Sequence, residues 1–100
     1  MSRQIIFEPE ARLEFEEAVL WYDEQQLGLS DRFEAEINAT FSRILQDHER
    51  FPFAGKTIRK ARVEVFESYS IYFSVERHFI GIVSIFHGAR DPEELRKRLR

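Results

Sequence analysis

Residues 79–92 read FIGIVSIFHGARDP. Between Phe79 and Phe86 only Gly81 and Ser84 lack a large apolar side chain. A strand that is apolar at nearly every position has both faces covered, so it belongs inside a sheet rather than at its rim. The run passes directly into His87, Gly88, Ala89, Arg90, Asp91 and Pro92. Sheets tend to present functional groups just beyond strand ends, where a rigid element hands over to a loop. His87 and Arg90 are therefore the first candidate functional residues. Asp91 and Pro92 start a terminal helix carrying Arg96, Lys97, Arg98 and Arg100.

Upstream, two more runs favour strands, from about Ile58 to Phe66 and from Tyr69 to Val75. Glu67-Ser68 and Glu76-Arg77-His78 are short enough to close tight antiparallel turns, so the three runs form a meander. Ile5, Ile6 and Phe7 add a short N-terminal strand, after which Pro9 suits the first turn of a helix. Phe15, Ala18, Val19 and Tyr22 recur at helical spacing, predicting a helix from about Pro9 to Gln26, with Gly28 as a left-handed stop. Phe33, Ile37, Phe41 and Ile44 share the face of a second helix, with Ser30 as its N-cap and Phe51-Pro52 as its end. The expected fold class is α+β: a short N-terminal strand, an antiparallel helical hairpin packed on an antiparallel sheet of about four strands, and a short C-terminal helix. Residues 1–100 make one domain, since a chain of this length has room for one core.

Ten Phe, three Tyr and one Trp against four Gly and three Pro are the composition of a packed globule. There is no cysteine, hence no disulfide or thiolate metal site. No signal peptide or membrane span is visible, and a cytoplasmic protein is expected. The net charge of −3 hides a division. Residues 1–50 hold twelve acids and five bases, a balance of −7, whereas residues 51–100 hold six acids and ten bases, a balance of +4. An acidic helical half thus faces a basic half suited to a phosphate backbone or an acidic protein surface.

His48, His78 and His87 have no ligand spacing, so neither metal nor cofactor is expected. Glu14, Glu16, Glu17, Asp23 and Glu24 follow the surface spacing of the first helix and read as a solvated face. Lys60 and Arg62 lie on the side of their strand opposite Val63 and Val65, where they share a surface with Arg90. With Tyr69 or Tyr72 beside them they make a candidate target or nucleic-acid contact. Cleavage of RNA also requires a base, an acid and a cation over the phosphate, a set to which Arg62, His87 and Arg90 are the available contributors. The first helix further carries a second apolar stripe, Leu13 and Leu20 with Trp21 beside them. A helix lying on a sheet does not need it, so either a neighbouring element or a partner segment covers it.

These residues resemble the RelE/ParE family of bacterial type II toxins. Ala11, Glu14, Phe15, Glu17, Ala18, Trp21 and Tyr22 follow the family's A-x-x-[DE]-[LF]-x-E-A-x-x-W-Y pattern, and Gly28, Leu29, Arg32 and Phe33 its GLxxRF turn. Arg50-Phe51-Pro52, the Tyr69-Ser70-Ile71-Tyr72-Phe73 strand and the His87-to-Pro92 run complete the match, which spans most of the chain. The resemblance implies a toxin held inactive by a cognate antitoxin, whose segment would bind Leu13, Leu20 and Trp21. RelE-like members cut messenger RNA on the ribosome, whereas ParE-like members poison DNA gyrase. At the places where the nucleases carry an arginine after the strand tyrosine and an aromatic in the terminal helix, this chain has Ser70 and Arg96. Arg90 does match a basic position of the nuclease. The long hairpin with Trp21-Tyr22 is more similar to the ParE-like, plasmid-stabilisation branch. The expectation is thus a gyrase-binding toxin rather than an enzyme. A ribosome-dependent endoribonuclease using Arg62, His87 and Arg90, and a non-toxic antitoxin-binding module, stand as the alternatives.

Overall fold

A computed structural model describes residues 3–99. The elements are β1 (Gln4–Phe7), α1 (Pro9–Gln25), α2 (Leu29–Asp47), a 3₁₀ turn (His48–Arg50), β2 (Ile58–Arg62), β3 (Tyr69–Val75), β4 (Phe79–His87) and α3 (Pro92–Arg98). Arg100, assigned from sequence to the terminal helix, lies outside the described residues.

The sheet order is β1-β4-β3-β2. The apolar strand β4 does lie inside, antiparallel to β3, which is antiparallel to β2. The sheet is mixed, because β1 runs parallel to β4, with Gln4 opposite Phe79 and Phe7 opposite Ile82. Two helices intervene between β1 and the meander, and a connection of that length can return the chain in the parallel sense.

The hairpin α1–α2 covers one face of this sheet. Phe33, Ile37 and Ile44 of α2 are fully buried against Ala61, Ile71, Phe73, Ile80 and Ile82 of the strands. Each such side chain contributes about 1.5–3 kcal/mol of transfer free energy. The turn between the helices depends on Gly28, at φ 83°, ψ −8°, a left-handed conformation that is strained for a residue with a Cβ. Ser30 is not the N-cap. Gly28 occupies that position, and Ser30 sits buried in the first turn, where its Oγ donates to Asp23 Oδ1 at 3.3 Å.

Strand β2 stops at Arg62, four residues short of expectation, and residues 63–68 form a loop in place of a tight turn. Val63 N–H bonds Tyr69 O and Tyr69 N–H bonds Phe66 O, while Val65 adopts φ 70°. The loop turns Phe66 inward, where its ring packs edge-on against Tyr22 and Phe33 at 5.1 and 5.2 Å. Aromatic packing thus overrides continued strand pairing.

The opposite sheet face carries a smaller core of Ile58, Tyr72, Val83 and Phe86, covered by Leu95 of α3 and by Leu99. Helix α3 begins as its sequence implies. Pro92 takes the first position, and the Asp91 carboxylate caps the helix by accepting from Glu93 N–H at 2.9 Å.

Candidate functional site

Strand β4 outlasts its parallel neighbour. Pairing with β1 ends at Ile82, where Glu8 N–H bonds Ile82 O and the chain departs into α1. Beyond that point the edge of β4 has no strand beside it, and buried backbone groups need partners. Glu14 of α1 supplies one set: its Oε1 accepts from Ile85 N–H at 3.1 Å and from Ser84 Oγ at 2.9 Å. Arg98 of α3 supplies the other by donating to Val83 O. The two side chains also bond each other, Arg98 Nη1 to Glu14 Oε2 at 3.0 Å and Nη2 to Oε1 at 3.1 Å. A carboxylate and a guanidinium therefore stand in for the missing strand. A register shift in the β3–β4 ladder at Tyr72/Phe73 falls at the same place.

Arg90 completes the network. Its Nη1 donates to Glu14 Oε2 at 2.6 Å and its Nη2 to Glu94 Oε2 at 2.6 Å. Burial lowers the pKa of Arg90, but Glu94 and Glu14 more than offset this and hold it above the ordinary value. Arg98 shows the same balance, with Glu14 and Glu10 as its carboxylates. Only 8 % of the Glu14 side chain is exposed. It is therefore a buried anchor rather than part of a solvated face, which corrects the sequence reading of this residue. The signal was present: Glu14 lies three residues after Ala11 and four before Ala18, both buried on the core side of α1.

His87 ends β4 with its ring edge-on to Tyr69, centroids 4.9 Å apart, and its Nδ1 accepts from Ala89 N–H at 3.0 Å. That bond places the proton of the neutral imidazole on Nε2. Burial, then the neighbouring Tyr22, pushes the Tyr69 phenol up to about 12. His87, Arg90, Tyr69 and Trp21 line one shallow cleft together with Glu14 and Glu17.

Lys60 and Arg62 do not join this cleft. They line a separate one with Arg43, Phe51 and Pro52 along β2. Arg62 is opposite Ser70, which is opposite Phe86, so two strand spacings, about 10 Å, separate the backbones of Arg62 and Phe86. Tyr72 is 7 % exposed and packs beneath α3 in the smaller core, with Lys60 Nζ 5.8 Å from its ring centroid. Its ring is not open for stacking on a base, which corrects the expectation of a surface aromatic there. The exposed aromatic nearest this basic strand is Phe53, 58 % exposed, which sequence reasoning passed over. Arg59 holds its guanidinium 4.0 Å from the Phe53 ring centroid.

The second stripe of α1 lies open. Leu13, Leu20 and Trp21 are each more than half exposed, and α2 leaves them uncovered. Trp21 is steadied by edge-on contact with Tyr22 at 5.1 Å. Among the described residues no group of three or more His, Asp or Glu is placed to hold a metal ion. No helix of the described residues is long and apolar enough to cross a membrane.

A helical hairpin packed on a sheet is also the fold of a chain from a solved toxin–antitoxin system. In the structure described as the chromosomal ParDE TA system from P. aeruginosa, one chain superposes with a TM-score of 0.68 at 16% identity, over 86% of this chain and 96% of that one. This likeness establishes the fold. The sequence carries the assignment further: the family described as ParE toxin of type II toxin-antitoxin system, parDE, matches residues 5–92, and the chain belongs to that family. No curated protein sequence matches the chain.

Proposed function

We propose that the protein is a growth-inhibiting toxin that acts by binding DNA gyrase, not by cleaving RNA, and that a cognate antitoxin neutralises it by covering the α1 stripe. The observation that carries this reading is the engagement of Arg90. A phosphate cation must be free to meet its phosphate, yet Arg90 is held by two carboxylates at 2.6 Å each. The cleft it shares with His87 is also lined by Glu17, a carboxylate without an ion pair among the described residues, which repels a phosphate backbone. Arg62 stands across the sheet from them. Concerted proton transfer and charge stabilisation at one phosphate require all three groups around it. Exposure of Leu13, Leu20 and Trp21 on a helix is what an amphipathic partner segment needs.

Induced expression without antitoxin tests this, with growth, DNA-damage signalling and transcript integrity followed in the same cells. Growth arrest with DNA damage and intact transcripts is expected. Codon-phased transcript cuts without damage would instead assign Arg90 and His87 to catalysis, and undisturbed growth would leave an antitoxin-binding module.

A further inference from the structure

Residues 50–62, RFPFAGKTIRKAR, contain five cations and no carboxylate. We propose that this segment, the loop into β2 and β2 itself, is a contact surface for single-stranded nucleic acid, with Phe53 stacking on an unpaired base. This surface is distinct from the His87–Arg90 cleft and does not depend on the identity of the toxin's target.

The cations of the two ends of the basic half are differently committed. Arg90, Arg96 and Arg98 near the C-terminus are each paired with carboxylates of α1 or α3. Arg50, Lys56, Arg59, Lys60 and Arg62 form no ion pair among the described residues. Unpaired cations on one edge of a sheet, in a protein whose net charge is −3, concentrate positive potential where the rest of the molecule repels a polyanion.

The arrangement suits a strand with separated bases. Two clefts flank the Phe51–Phe53 stretch, one lined by Lys56 and Arg59 against the single carboxylate Glu49, the other by Lys60 and Arg62. Arg59 is fixed by donating from Nη1 to Phe51 O at 2.7 Å, and in that position it braces the Phe53 ring. A ring held in place loses little entropy when a base stacks on it, and stacking tolerates any base. Arg43 and Glu64, paired at 2.9 Å, and Glu67 bound the second cleft, so the strand's path runs along Lys60 and Arg62 rather than beyond them.

Fluorescently labelled oligothymidylate, oligouridylate and duplex DNA of equal length are the probes, titrated across a range of salt. Both single strands are expected to bind with similar affinity, since neither phosphate contact nor stacking reads the sugar. Lys56→Gln, Lys60→Gln and Arg62→Gln together should lower that affinity at least about tenfold and reduce the salt slope by about 2, from about 0.7 per phosphate contact. Phe53→Ala should weaken binding about tenfold with the slope unchanged. Arg77→Gln and Lys97→Gln, single exposed charges elsewhere, should change nothing. Absence of binding at low salt would overturn the proposal. Equal losses from the control variants would overturn it too, as would preference for duplex with Phe53→Ala silent. If the triple variant loses gyrase inhibition while the native protein ignores every oligonucleotide, the surface contacts protein instead.

Discussion

Replacing Glu14 tests whether a side-chain pair really substitutes for a strand at the end of β4. The carboxylate accepts five hydrogen bonds, from Ser84, Ile85, Arg90 and twice from Arg98. Removing one partner of a fully buried pair costs about 3–5 kcal/mol. Here the stranded cations keep some access to water, with 16 % of the Arg98 and 40 % of the Arg90 side chain exposed, and both retain other carboxylates. The expected cost of Glu14→Ala is therefore about 2–3 kcal/mol, made up of the lost pair and the bare Ile85 N–H. For a domain of this size that lowers Tm by about 10–20 °C. Glu14→Gln keeps an oxygen for Ile85 and Ser84 and should cost about half as much. Chemical and thermal unfolding followed by circular dichroism measures both, and amide exchange at Ile85 should accelerate in the Ala variant but much less in the Gln variant. If Glu14→Ala falls within about 0.5 kcal/mol of the native protein, as ordinary surface substitutions do, the strand-surrogate reasoning is wrong.

Three further outcomes are expected. Gly81→Ala would set a Cβ 2.8 Å from Ser74 Oγ, inside a paired strand, and should destabilise by about 1–3 kcal/mol in equilibrium unfolding; Ser74→Ala should recover part of that loss, and no recovery would place the strain elsewhere. The Tyr69 phenol ordinarily ionises at 10.0 and is pushed up to about 12 in the fold, so its contribution to stability is complete below pH 10 and is lost as pH rises from 10 to 12; ultraviolet titration should show a late phenolate step that Tyr69→Phe removes, and a titration unchanged in its late part by that substitution would contradict it. Leu20→Glu alters an exposed position, so Tm should hold within about 3 °C while antitoxin binding falls at least about tenfold; unchanged affinity in a calorimetric titration would move the interface off α1.

What could be read from the sequence was whatever rests on local periodicity. The interior position of β4 followed from its unbroken apolar run, and the hairpin from the spacing of Phe33, Ile37, Phe41 and Ile44, all four buried as expected. The parallel sense of β1 was not legible, because pairing of residues 75 apart, as Gln4 with Phe79, leaves no local pattern. Strand β2 ended early for a related reason: Phe66 reaches a tertiary aromatic cluster that alternation along the strand does not reveal. At the candidate site, His87 was correctly placed at the end of β4 and Arg90 in the turn after it, but the groups they meet were not identified. Of the two carboxylates that hold Arg90, Glu94 is four residues away but Glu14 is 76 residues away on α1. Glu14 was counted among surface carboxylates for its helical spacing with the other acids, and its position between Ala11 and Ala18 was the better guide. Tyr72 was misplaced because alternation reveals which side of a strand a residue takes, not whether a short helix such as α3 closes that side.

The most direct measurement adds the purified protein to DNA gyrase on relaxed plasmid with ATP, and to ribosomes programmed with a defined messenger RNA, at matched concentrations. Loss of supercoiling with trapped cleaved plasmid, reversed by prior addition of the antitoxin and accompanied by intact message, is the result expected of a toxin that binds gyrase. Unimpaired supercoiling together with cut messenger RNA would contradict it.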